Sequence, residues 1–135
     1  MVKKIDHLGF AVHSIEEARI FFEKVLGLAC ERIEEVPSQK VRTAFFSIGE
    51  THIELLEPMG PESPVAKYLD RHGEGMHHIG YLSDDLVKDL DQARENGCTL
   101  INPDPVEGAG GKRIAFLHPK STHGVLTELC QKENT

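Results

Sequence analysis

His7-Leu8-Gly9-Phe10 and His78-Ile79-Gly80-Tyr81 are one phrase written twice, 71 residues apart (7 to 78). The same spacing carries Ala44-Phe45-Phe46 onto Ala115-Phe116-Leu117 (44 to 115). Ile53-Glu54-Leu55 recurs as Thr127-Glu128-Leu129 at an offset of 74 (54 to 128), three residues late. A repeat of this kind predicts two copies of one supersecondary unit sharing a core. Each copy places a His on its first strand and a Glu on its last, and alternation along a strand turns such side chains to one face. Two copies related by a pseudo-twofold axis would bring two imidazoles and two carboxylates to a single point.

Working outward, residues 5 to 12 read as a short strand of mixed polarity. Ser14-Ile15-Glu16-Glu17 is a capping box, with Glu17 expected to reach back to the cap. Ile15, Ala18, Phe21, Phe22, Val25 and Leu26 follow at helical spacing and Gly27 supplies the stop. Strands are expected at about 28–36, 41–48 and 51–57. The second copy repeats this order. A strand at about 76–82 precedes a helix that starts after Ser83 or Asp84, buries Leu86, Leu90 and Ala93, and ends at Gly97. Strands at about 98–103, 112–117 and 125–130 complete it, with the three extra residues in the last hairpin around Pro119–Gly124. Between the copies, Pro58 to Gly75 forms a Pro- and Gly-rich linker with its own helix, capped by Ser63 and opened by Pro64.

The expected fold class is α+β, two tandem βαβββ modules forming a curved mixed sheet around a metal-binding cleft. It is expected to be one domain over 1–135, with module 1 at about 1–58, the linker helix at 59–75 and module 2 at 76–135. A half of about 65 residues is marginal alone, so fusion is physically sensible.

Composition narrows the partners. Hydrophobic content of 39% and charged content of 27% are those of a soluble globular chain. No window approaches the roughly 18 to 20 apolar residues that span a bilayer, and Met1-Val2-Lys3-Lys4-Ile5 runs directly into a strand. No membrane association and a cytoplasmic location are therefore expected. A net charge of −7 disfavours nucleic acid. Small basic clusters at Lys40 and Arg42, Lys112 and Arg113, and Lys120 suffice only for a phosphate or carboxylate on a small ligand. Cys30, Cys98 and Cys130 are odd in number and unpaired in spacing, which reads as reduced thiols and not as zinc ligands.

His7, His78, Glu54 and Glu128 are the candidate metal ligands. Two imidazoles with two carboxylates suit one borderline divalent ion, namely Co, Zn, Ni, Mn or Fe, with positions left for substrate. A single strand His or Glu more simply ends at the solvent edge, but four positions matched by a repeat do not fit that reading. Glu54 and Glu128 sit in apolar runs, where an unpaired carboxylate is costly to bury. His77 alternates to the face opposite His78 and reads as packing. His13, His52, His72, His118 and His123 have no His partner in the repeat and read as surface or loop residues. Gly108-Ala109-Gly110-Gly111-Lys112-Arg113 lacks the strand-to-helix context of a phosphate-binding loop and reads as a flexible loop.

At this point the chain resembles the vicinal oxygen chelate superfamily, over nearly its whole length. Within it the chain is most similar to the methylmalonyl-CoA epimerases. The motifs are Asp6-His7-Leu8-Gly9-Phe10-Ala11-Val12, Ile53-Glu54-Leu55-Leu56-Glu57-Pro58, Ser63-Pro64-Val65-Ala66-Lys67-Tyr68-Leu69 and Gly75-Met76-His77-His78-Ile79. To these are added the run from Gly110 to Lys120 and Gly124-Val125-Leu126-Thr127-Glu128-Leu129. The resemblance implies a divalent metal held by His7, Glu54, His78 and Glu128, an acyl-CoA substrate and a homodimer. Some epimerases carry Gln in place of Glu54. One branch uses a glutamate where this chain has Thr43, and a hydroxyl cannot take a proton from carbon. Glu54 and Glu128 are therefore the expected catalytic pair, serving as both ligands and proton carriers. Arg113, Lys120 and Thr43 are the candidate substrate-binding residues. The alternatives are glyoxalase I (lactoylglutathione lyase), which shares the tetrad, and a metal-free small-molecule-binding member of the fold.

Overall fold

The computed structural model describes residues 1–133. Its contacts divide the chain into two compact units, His7–His77 and Met1–Asp6 together with the chain from His78 onward. The first strand, β1 (Val2–Ala11), contributes to both.

In the unit His7–His77, β1 is followed by α1 (Ile15–Ile20), β2 (Cys30–Val36), β3 (Val41–Ile48), β4 (Thr51–Pro58) and α2 (Pro64–His72). The strands are ordered β2-β3-β4-β1, with β1 and β4 parallel and the other pairs antiparallel. One sheet face carries Ala44, Phe46, Ile53 and Leu55, buried with Val12 and Ile15. Ser14 caps α1 by accepting the Glu17 amide at 3.2 Å. A carboxylate at this helix start comes from β4: Glu57 accepts the Ile15 amide at 2.9 Å and pairs with Arg42 at 2.8 Å. For α2, Ser63 accepts the Val65 amide at 3.2 Å, Pro64 opens the helix, and Val65 and Leu69 anchor it.

The first helix departs from expectation in one respect. The α pattern ends at Ile20, and Phe21–Val25 form a π-helical turn in which the Leu26 amide donates to the Phe21 carbonyl at 3.2 Å. The wider turn shifts the register. Ala18 and Phe22 pack on the core, while Phe21, Val25 and Leu26 are 51%, 69% and 49% exposed instead of buried. Gly27 then stops the helix at φ 73°, as Gly97 stops its counterpart at φ 82°.

In the other unit, the Val2–Asp6 portion of β1 is joined by β5 (Gly75–Ser83), α3 (Leu86–Glu95), β6 (Val106–Glu107), β7 (Lys112–Leu117) and β8 (Thr127–Lys132). The order is β1-β5-β8-β7-β6, with β5 and β8 parallel. Leu86 and Leu90 of α3 are buried with Ala115, Leu117 and Leu129. The N-cap is Asp85, not Ser83 or Asp84; Asp85 accepts the Lys88 amide at 3.2 Å while Ser83 accepts the Asp85 amide at 3.0 Å. Asp84 instead binds the N-terminal ammonium at 2.5 Å and Lys3 at 3.2 Å, which holds its carboxyl down at about 2. Deeper in, buried Asp6 and partly buried Lys112 form an ion pair at 2.5 Å.

The strand expected at 98–103 is not continuous. Its place is taken by an isolated bridge, Leu100 to Leu117, and by the two-residue β6. Pro103 and Pro105 explain the break, because neither has an N–H for the ladder. The side chain of Asn102 compensates by accepting the Phe116 amide at 2.8 Å. The architecture is α+β with mixed pairing, as the repeat predicts. Among the described residues no helix is long and apolar enough to cross a membrane.

Candidate functional site

The repeated His-x-Gly phrase has a structural reason. In the unit His7–His77, parallel pairing sets His7 opposite His52 and Gly9 opposite Glu54. Alternation puts His7, Gly9 and Glu54 on one face, away from the core beneath α1. His7 is therefore diagonal to Glu54, and Gly9, lacking a side chain, leaves the space between them open. His7 Nδ1 lies 3.5 Å from Glu54 Oε2, and the residues are 2% and 4% exposed.

The other unit repeats the device. Gly80 stands opposite Glu128, and His78 Nε2 lies 3.5 Å from Glu128 Oε1. Both are buried. The His78 ring meets Phe116 edge-on at 5.5 Å, and Phe116 is the residue opposite Glu128 on β7. Phe45 stands opposite Glu54 in the same way. Each unit thus presents one buried imidazole–carboxylate pair beside an aromatic ring.

The three candidate substrate-binding residues fall in different places. Thr43 lies on the Glu54 face, paired with Leu56, and is 0% exposed. Its Oγ1 has no hydrogen-bond partner among the described residues. Leaving a buried hydroxyl unsatisfied costs about 1–3 kcal/mol. Thr43→Val is accordingly expected to leave stability unchanged or raise it by up to about 1 kcal/mol, measured by urea denaturation; a loss beyond 1 kcal/mol would show that the hydroxyl is engaged. Arg113 alternates with Ile114 and Phe116, so it stands on the face opposite Glu128, where it donates to the Pro105 carbonyl at 3.0 Å. Lys120 lies exposed in the turn Pro119–Ser121, its amide donating to His118 Nδ1 at 3.1 Å.

Sequence reasoning missed three groups. Arg32 of β2 stands opposite Phe45, its guanidinium 3.9 Å over that ring, on the Glu54 face. His52 shares that face and approaches Glu31 at 3.4 Å. The Asp6–Lys112 pair spans 106 residues and leaves no local signal. His77 behaves as expected of a packing residue: it meets Tyr68 at 4.9 Å, and burial pushes its imidazole down to about 4, so it is neutral near pH 7.

Residues 6–116 match the model of the glyoxalase/bleomycin resistance protein/dioxygenase superfamily. The chain is 45% identical over 130 residues to an uncharacterized protein of Bacillus subtilis, covering 96% of this chain and 93% of that one. It is 35% identical over 133 residues to an ethylmalonyl-CoA/methylmalonyl-CoA epimerase of Cereibacter sphaeroides, covering 97% and 99%. A solved methylmalonyl-CoA epimerase in complex with methylmalonyl-CoA and NH4+ matches with TM-score 0.94 and 36% identity, covering 98% of this chain and 96% of that one.

Proposed function

The chain belongs to the glyoxalase/bleomycin resistance protein/dioxygenase superfamily, and we propose that it is a metal-dependent epimerase interconverting the two epimers of methylmalonyl-CoA. The observation that carries this reading is the buried His–Glu contact, made twice at repeat-matched positions. The likeness to epimerases over nearly the whole chain supports the choice of substrate.

His7, Glu54, His78 and Glu128 are the residues that would hold the metal. Their chemistry fits: neutral imidazoles and carboxylates are ligands for a borderline divalent ion. Two buried carboxylates also need compensating positive charge, since burying an ion costs several kcal/mol. When bound, the cation supplies stabilisation for negative charge developing on a thioester oxygen.

The chain's own residues do the rest. Epimerisation removes a proton next to the thioester carbonyl from one face and returns one to the other, so it needs a proton carrier for each face. Thr43 offers a hydroxyl and cannot serve. Glu54 and Glu128, related by the repeat, are the proposed carriers. His7 and His78, each 3.5 Å from its glutamate, orient the carboxylates. Phe45 and Phe116 stand opposite them on the neighbouring strands.

Glu54→Gln keeps a ligand oxygen but removes the carboxylate. At full metal loading it is expected to slow exchange from one substrate face by about 10²-fold or more, read as deuterium wash-in from each epimer separately. A wild-type rate from both epimers would remove Glu54 from the mechanism. Assay of the glutathione hemithioacetal on the same sample separates this reading from glyoxalase I.

A further inference from the structure

Outside the His–Glu pairs, the unit His7–His77 holds a concavity of about 510 Å³ between the exposed side of α2 and the start of β5. Its volume is that of a small-molecule site. Three rings line it. Tyr68 lies 4.7 Å from His72 and 4.9 Å from His77, centroid to centroid. The Tyr68 hydroxyl donates to the Met76 carbonyl at 2.7 Å, fixing the central ring. Val65 and Leu69, buried on the opposite side of α2, fix the helix that carries it. The aromatic surface is therefore set before any ligand arrives.

Charge lies around these rings. Lys67 and Arg71 are one helical turn apart on the rim, and neither ion-pairs with a described carboxylate. Asp70 is the opposing acid on the rim. The balance is locally positive in a chain whose net charge is −7. Rings supply stacking for a planar heterocycle, and the guanidinium fork and the ammonium supply phosphate recognition.

We infer that the α2 pocket binds a phosphorylated purine nucleoside through stacking on Tyr68, His72 and His77 and phosphate contacts from Lys67 and Arg71. Purely apolar ligands would leave both cations unused, and a simple anion would leave the rings unused. A nucleotide uses both.

The test is a titration of the metal-loaded full-length protein followed by NMR of the imidazole and tyrosine ring protons. The probes are adenosine 3′,5′-bisphosphate, adenosine and inorganic phosphate. The bisphosphate is expected to shift the Tyr68, His72 and His77 signals and to bind at least tenfold more tightly than either fragment. Lys67→Glu and Arg71→Glu, exposed and folded by circular dichroism, are each expected to weaken it by about tenfold or more. Inorganic phosphate binding as well as the bisphosphate, or no ring shifts with the bisphosphate, or full affinity in both variants, overturns the proposal. A protein that binds the bisphosphate yet never epimerises methylmalonyl-CoA keeps this pocket and sinks the epimerase reading, so the two fail separately.

Discussion

Glu128→Gln, loaded with a divalent ion, is expected to lose epimerisation by about 10³-fold or more, within the range that a positioned proton carrier contributes. Glutamine matches glutamate in size, so the packing against Phe116 and the open space at Gly80 are preserved. What disappears is the carboxylate. An amide accepts a hydrogen bond but does not take a proton from carbon. Because Glu128 is also a proposed ligand, metal content is measured on the same sample. A loaded protein with a rate within about tenfold of wild type would remove Glu128 as a carrier. An unloaded one with no rate shows the ligand role, and readdition of metal in excess then separates the two functions: a restored rate leaves a ligand role alone, and a rate still absent keeps Glu128 as a carrier.

The second large effect is on metal retention. His78→Ala is expected to weaken binding by at least about 100-fold, as loss of a ligand exceeds the 10- to 100-fold cost of losing a group behind one. It also leaves Glu128 buried without the imidazole 3.5 Å away. The readout is independent of activity. A ligand present at 1,000 times its Kd stabilises a native state by about 4 kcal/mol, so wild-type Tm rises with added metal. The Tm of His78→Ala is expected to respond only at much higher concentrations, and His7→Ala to behave alike because the repeat makes the positions equivalent. Equal metal-dependent shifts in wild type and both variants would contradict the assignment.

The repeat made much of this legible. Ser63-Pro64 announced α2, and the alternating segments 41–48 and 112–117 are β3 and β7 as expected. The His-x-Gly phrase marked residues that the structure buries in two His–Glu contacts, although its reason emerges only in the parallel register, where Gly9 and Gly80 face the glutamates. What the repeat hid were its own asymmetries. Pro103 and Pro105 break a strand that the first copy keeps whole, and a π turn redirects the apolar stripe after Ile20. Such effects follow from local chemistry that periodicity averages away. The sheet face of Arg113 needed the strand register: one position along β7 separates it from the Glu128 face. Arg32 and the Asp6–Lys112 pair required strand pairing and could not be read locally.

In the proposed function, buried, repeat-matched His–Glu pairs serve metal-dependent proton exchange next to a thioester. Its most direct test is incubation of one methylmalonyl-CoA epimer with the metal-loaded protein in D2O, followed by optical rotation and mass spectrometry. The single epimer is expected to convert to a mixture of both, its rotation moving to the value of that mixture as deuterium enters the α carbon, with both changes abolished by a chelator and restored by a divalent ion. A loaded protein that leaves the epimer intact, with no deuterium incorporated above the buffer control, would contradict it.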